Sequence, residues 1–406
     1  MITKTINLYK NAFSGLSKNI WLLSIVMLVN RAGTMVLAFM TLYCNHIGYT
    51  IKQGGIVVAI YGIGSIFGAF FGGRISDKVG FYYTQFFALF SGGCLFILLG
   101  QMESYIAICI CTFFLSMVNE SFRPANSSAI AYYSTIKNRT QSYSLVRLSV
   151  NLGWAIGSAL GGILAAINYH LLFWVDGFTN ISAGIVLLLI LPKVTYAEQQ
   201  KTKNKNNGDV LDKKAYQDKT FLYFLCFQIL FAACFFQLFT TIPLYFKTVL
   251  KLSEDTIGTI MAATGVMIVI FEMVLVYILQ KRKSFLQLMV YGSLLMAVSY
   301  FILNIPMHNV LIIAIFSMII ITVAEMVSMP FMNSFYISRT TEKNRGQYAG
   351  MYTMAWSIAQ VLGSYVGSAL ADNVGFYYFW IIVGCTCVVA ASGYYWLFLQ
   401  ERKKLA

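Results

Sequence analysis

The sequence predicts an all-α polytopic membrane protein, twelve transmembrane helices in two six-helix halves with both termini cytoplasmic. Three observations carry that expectation. Of 406 residues, 58% are hydrophobic and 11% charged, with a mean hydropathy of +0.70; a soluble domain holds about 25% charged residues. The apolar residues gather into runs long enough to cross a bilayer, which takes about 20 residues of helix. The second half of the chain also repeats landmarks of the first.

The runs lie at 20–44, 54–73, 81–101, 104–133, 141–167, 171–191, 220–246, 256–280, 285–304, 309–337, 346–371 and 375–399. The first is too long for a signal-peptide core and no small-residue cleavage site follows it, so it is expected to remain as a helix. Ahead of it, residues 1–18 set Ile2, Ile6, Tyr9, Phe13 and Leu16 on one stripe, apart from Lys4, Lys10 and Lys18. That is the pattern of an interfacial helix on the inner leaflet, or else of a disordered leader. Residues 193–219 are polar without apolar period, a cytoplasmic linker between halves at 19–192 and 220–406.

With the N-terminus inside, 23 of the 29 Lys and Arg fall in cytoplasmic segments, and only Lys52, Lys247 and Lys251 fall outside. This asymmetry orients the chain. The net charge of +14 is therefore topology, and nucleic acid is not an expected partner. The expected partners are the bilayer, a small-molecule substrate and protons, for a monomer. All eight cysteines lie in or at the ends of apolar runs, where Cys acts as a small hydrophobe. No metal site, cofactor or catalytic constellation is expected, and no Gly-rich loop ending in Gly-Lys-Ser/Thr offers ATP as direct fuel. Short outside loops without Asn-x-Ser/Thr favour a bacterial inner membrane.

The internal repeat is read from ordered pairs. Glu120 before Pro124 recurs as Glu325 before Pro330, Asn138-Arg139 as Asn344-Arg345, Gly157-Ser158 with Gly161 as Gly363-Ser364 with Gly367, and Phe173-Trp174 as Phe379-Trp380. Earlier in each half the offset shortens, so that Leu42-Tyr43 answers Leu244-Tyr245 and Tyr61-Gly62 answers Thr264-Gly265. Two six-helix repeats in parallel orientation are the build of a rocking transporter, with its site near the midplane.

Three segments add a family resemblance. Gly73-Arg74-Ile75-Ser76-Asp77-Lys78-Val79-Gly80 resembles the Gly-x-x-x-Asp-Arg/Lys-x-Gly loop motif of the major facilitator superfamily, although Phe81, Tyr82 and Tyr83 replace the basic residues that usually follow. The resemblance implies that Asp77, with Gly73, Lys78 and Gly80 in the motif, latches the cytoplasmic side; a carboxylate suits a helix N-terminus on dipole grounds. Gly153, Gly157 and Gly161 strip one face of the fifth span and look like the fifth-helix motif of proton-driven exporters, with Ser158 where Pro is usual. Arg123 within Asn119-Glu120-Ser121-Phe122-Arg123-Pro124 stands in the fourth span, where the superfamily commonly has an Arg.

Intramembrane charges supply the functional signal. Arg31, Glu120, Arg123, Glu272 and Glu325 lie within spans, each at a cost of roughly 2.5–3.5 kcal/mol on insertion scales, so they should face water or one another. Glu120 and Arg123, three apart on one helix face, form with Arg31 a candidate proton-coupling group or a static ion pair. Glu325, which has Ser328 at the place of Arg123, is the leading proton carrier, and Glu272 is either a coupling group or a structural partner. Candidate substrate-cavity walls are Asn30 and Thr34 in span 1, Gln237, Thr241 and Tyr245 in span 7, and Tyr352, Trp356 and Gln360 in span 11, at four-residue spacings in the last two.

The expectation is a proton-coupled secondary transporter of a small organic or amphipathic molecule, working by alternating access in the direction of export. The alternative is import of a peptide, siderophore or other nutrient, against which Val29-Asn30 stand before Arg31 where the family's peptide importers carry acids. A non-transporting sensor or assembly factor, and an intramembrane enzyme, are the readings of other classes.

Overall fold

A computed structural model describes residues 9–194, 214–306, 309–341 and 343–405. Among these residues all regular structure is helical. In chain order the helices are α1 (Lys18–Ala32), α2 (Val36–His46), α3 (Ile51–Val79), α4 (Phe81–Leu99), α5 (Tyr105–Glu120), α6 (Phe122–Tyr133), α7 (Arg139–Ile167) and α8 (His170–Ile190), followed by α9 (Lys219–Phe235), α10 (Thr241–Thr248), α11 (Glu254–Leu279), α12 (Phe285–Ile302), α13 (Val310–Ser338) and α14 (Arg345–Leu405). Ten helical segments of the described residues are long and apolar enough to span a bilayer. Most of the expected linker lies outside the described residues, as do residues 1–8 of the expected interfacial segment.

Three expected spans are not single helices. Span 1 stops at Ala32 and restarts at Val36. Span 7 passes from α9 through a 3-10 turn, Phe236–Phe239, into α10. The second break has a local cause: Pro243 has no N–H to return to the preceding turn and its ring opposes the carbonyl four residues back. Span 4 bends at Ser121 for the same reason, since Pro124 faces the carbonyl of Glu120. Ser17, Thr50, Asp218, Ser253 and Ser284 cap the starts of α1, α3, α9, α11 and α12 by accepting a backbone N–H, which satisfies donors that a helix start leaves open. Gly80 (φ 100°) turns α3 into α4, and Gly375 (φ 77°) divides α14 in two; both need a residue without Cβ.

The chain forms two compact units. One comprises Leu16–Ala215 with Arg339–Ser357; the other comprises Met1–Gly15, Tyr216–Ser338 and Ile358–Ala406. In the first, Met35, Tyr43, Phe96, Leu115 and Phe173 belong to one buried cluster. In the second, Val276, Leu288, Val327 and Phe331 tie α11, α12 and α13 together.

Candidate functional site

The first unit gathers three of the predicted charges. Arg123 Nε lies 2.7 Å from Glu120 Oε2, an electrostatic contact rather than an aligned hydrogen bond, since Oε2 accepts none. The bend at Ser121 sets the two on either side of it, Glu120 4% exposed and the Arg123 side chain 40% exposed. Tyr61 donates to Glu120 Oε1 at 3.5 Å and accepts from Asn119 at 3.3 Å. It comes near because Gly64, Gly68 and Gly72 let α3 lie directly on span 4 at Phe113, Met117 and Ser121, a stripe the sequence reading passed over. Arg31 interacts electrostatically with Glu120, Arg123 and Tyr61, and its buried Nε has no hydrogen-bond partner among the described residues. One carboxylate thus stands among two guanidinium groups and a phenol.

The break in span 1 is built with two other spans. Asp176 of α8, 1% exposed, accepts the N–H of Met35 at 3.1 and 3.3 Å and that of Val36 at 2.9 Å, supplying the partners that the start of α2 lacks. Asn30 donates to Asn180 at 2.8 Å, and Asn180 to the Asp176 carbonyl at 2.8 Å. Asn30, expected on a cavity wall, is thereby tied to α8, and the adjacent Thr34 donates its N–H to the Arg31 carbonyl within the break. A Cβ on Gly153 would sit 2.7 Å from Arg31 Cβ, one on Gly157 3.1 Å from the Arg31 and Ala32 carbonyls, and one on Gly161 2.9 Å from Met35 Cβ. The predicted glycine face therefore lies on the break. The sequence reading missed Asp176; the available signal was an ionisable residue inside the apolar run 171–191.

The loop motif makes a second polar construction in the same unit. Asp77 accepts the N–H of Gly346 through Oδ1 and of Gln347 through Oδ2, both at 2.7 Å, at the first turn of α14. Gly73 meets Gly346 and Gly350 backbone to backbone. Lys78 is exposed, and Arg74 rests over the Phe70 ring at 4.0 Å. Further along α14, Tyr352 is buried and Trp356 half-buried, with ring centroids 6.4 Å apart; Gln360 is exposed and belongs to the other unit.

In the second unit Gln237, Thr241 and Tyr245 are buried but do not share a continuous helix, because the 3-10 turn intervenes. Their polar atoms are engaged by protein. Gln237 donates to the Ala233 and Gly363 carbonyls and accepts from Thr241, while Tyr245 donates to the Leu303 carbonyl. Gly363 and Gly367 lie on this break as Gly157 and Gly161 lie on the first. Glu272 and Glu325 are both buried, four residues before Val276 and two before Val327 in the cluster joining α11 to α13.

A sequence model described as the Major Facilitator Superfamily matches residues 20–364 and 326–406. The chain is 24% identical to a Na(+), Li(+), K(+)/H(+) antiporter of Planococcus maritimus, over 93% of this chain and 95% of that one. It is 20% identical to the quinolone resistance protein NorA of Staphylococcus aureus (strain COL), over 83% and 86% respectively. In fold it resembles the proton:xylose symporter XylE, with a TM-score of 0.69, 18% identity and coverage of 92% of this chain and 95% of that one.

Proposed function

Since the chain belongs to the Major Facilitator Superfamily, a family of membrane transporters and not of enzymes, we propose that it is a proton-coupled secondary transporter exporting a small organic or amphipathic molecule by alternating access. The cell membrane of a bacterium is its proposed place, in keeping with bacterial relatives. The observation that carries the proposal is the Glu120 group: a buried carboxylate 2.7 Å from Arg123, with Arg31 and Tyr61 in electrostatic reach. Such a group is expensive inside a bilayer, which favours a working role over simple packing. We assign proton exchange to Glu120 with Arg31 and Arg123, and to Glu325, with Glu272 as a further candidate. Asp77 serves as the cytoplasmic latch. Tyr352 and Trp356 supply an aromatic surface for cargo, whereas Gln237, Thr241 and Tyr245 hold span 7 in its broken form.

A second reading takes a monovalent cation as cargo in exchange for protons, favoured by the likeness to the Planococcus maritimus antiporter. One experiment separates the two. Acid-loaded proteoliposomes containing a trapped pH dye receive either ethidium, as an amphipathic cation, or sodium chloride. Internal alkalinisation on adding ethidium alone supports the first reading, and on adding sodium alone the second. Alkalinisation with neither, across a wider panel of amphipathic molecules chosen by ligand-induced thermal stabilisation, contradicts proton-coupled export.

A further inference from the structure

The two helix breaks occupy matching places in the repeat. At the offset of 202 to 203 that relates these spans, the break at 33–35 falls on 235–238, where α9 gives way to the 3-10 turn. Both breaks are covered by repeat-related glycines, Gly157 and Gly161 in one unit and Gly363 and Gly367 in the other. They differ in the group that satisfies them. The neutral amide of Gln237 serves the second, donating to the Ala233 carbonyl near the end of α9 and to the Gly363 carbonyl of α14, both at 2.9 Å. A carboxylate holds the first: Asp176, 1% exposed, bonded to the N–H groups of Met35 and Val36.

The contrast matters because a buried charge is costly and the second half holds an equivalent break without one. Among the described residues no cation pairs with Asp176. The titratable groups on the elements packed against α8 are Lys18 and Arg31 on α1, Tyr43, Cys44 and His46 on α2, Tyr82, Tyr83 and Cys94 on α4, and Arg139, Tyr143 and Arg147 on α7, with His170 on α8 itself. Arg31, the cation nearest the break in sequence, has Glu120, Arg123 and Tyr61 as its electrostatic partners. The carboxylate is left to two backbone donors.

We propose that Asp176 is a further proton-binding residue of the transport cycle, and that its charge state decides whether α2, the outer piece of span 1, stays pinned to span 6. The proposal rests on the proton-coupled reading above. As a carboxylate, Asp176 accepts both N–H groups. A proton arriving on one oxygen removes the charge and turns that oxygen into a donor facing an N–H, so at least one bond to the start of α2 is lost and the charge assistance of the other with it. The proton comes from water and returns to it; no bond between heavy atoms changes. The glycine contacts leave the hinge itself in place, so α2 moves about 33–35 without separating α1 from α7.

The test is amide hydrogen exchange of the segment 33–46 in the purified full-length protein, over about pH 5 to 9, with the intrinsic pH dependence of exchange divided out. Protection is expected to be at least about tenfold greater at the alkaline end, and to stay flat at the acid-end level in Asp176→Asn. Should that variant not fold, Asp176→Glu is expected to keep the step at a displaced midpoint. A flat wild-type profile, a step surviving in Asp176→Asn, or an unmoved midpoint in Asp176→Glu overturns the proposal. Proton flux by the same preparations in liposomes separates the two layers: coupled flux with a flat profile defeats this inference alone, and a step without coupled flux defeats the coupling reading on which it rests.

Discussion

Replacing Asp77 by Asn tests the latch where its geometry is most explicit. The wild-type carboxylate holds two N–H groups at 2.7 Å at the start of α14. The amide keeps one acceptor oxygen, turns the other position into an NH2 group facing a donor, and removes the charge from the helix N-terminus. A hydrogen bond to a charged group contributes roughly 1.5–3 kcal/mol and the dipole about 0.3–1 kcal/mol, each reduced because Asp77 is only half-buried. A loss of about 2 kcal/mol shifts the balance between latched and released forms roughly thirtyfold. The assay is maleimide labelling of Thr353→Cys, a buried position two turns beyond the contact, in a background without native cysteines. Labelling is expected to accelerate strongly in Asp77→Asn at an unchanged melting temperature. An unchanged labelling rate in a folded variant would refute the latch.

Four further substitutions probe the packing, the charge group and the break in span 7. Gly157→Leu drives a branched side chain into carbonyls that a Cβ alone would meet at 3.1 Å, and should cost about 1–3 kcal/mol, read as a lower melting temperature; normal melting and normal transport would contradict the close approach of spans 1 and 5. Glu120→Gln and Arg123→Gln should be non-additive in thermal unfolding, the double variant being milder than the sum of the singles by about 1 kcal/mol, since Arg123 is partly solvated. Strict additivity would mean that the pair contributes nothing. Gln237→Ala strips the break in span 7 of its donor to Gly363 and should destabilise by about 1–3 kcal/mol, whereas a neutral result would show water taking its place.

The legible part of this protein was what composition, period and repeat encode. Apolar runs marked where the helices lie, ten of them long and apolar enough to cross a bilayer among the described residues, and glycines at 153, 157 and 161 marked a face on which another helix lies close. The loop-motif resemblance marked Asp77, whose carboxylate accepts the Gly346 and Gln347 N–H groups at the start of α14, a place that suits a negative charge. The helix breaks were not legible. Gly33-Thr34-Met35 and the stretch 236–240 read as apolar helix, since hydropathy registers transfer cost and not where backbone hydrogen bonds go. Pro243 gave a hint in span 7, while span 1 holds no proline and its break depends on Asp176, some 140 residues away in sequence. The cavity-wall assignments at Asn30 and Gln237 show the same blindness: helical spacing found a shared face but could not tell that the polar atoms on it were already bonded to α8 and to the Gly363 carbonyl.

The central claim, that buried carboxylates move protons against cargo, is tested most directly by comparing two fluxes in proteoliposomes containing wild type, Glu325→Gln or Glu120→Gln. A gradient of one pH unit stores about 1.4 kcal/mol per proton, enough for roughly tenfold accumulation of a neutral cargo exchanged one for one. Wild type should accumulate cargo under the gradient and also exchange it at equal pH. Glu325→Gln should lose gradient-driven accumulation while exchange at equal pH persists, because exchange needs no net proton movement. Accumulation that survives in both Glu325→Gln and Glu120→Gln would contradict the account.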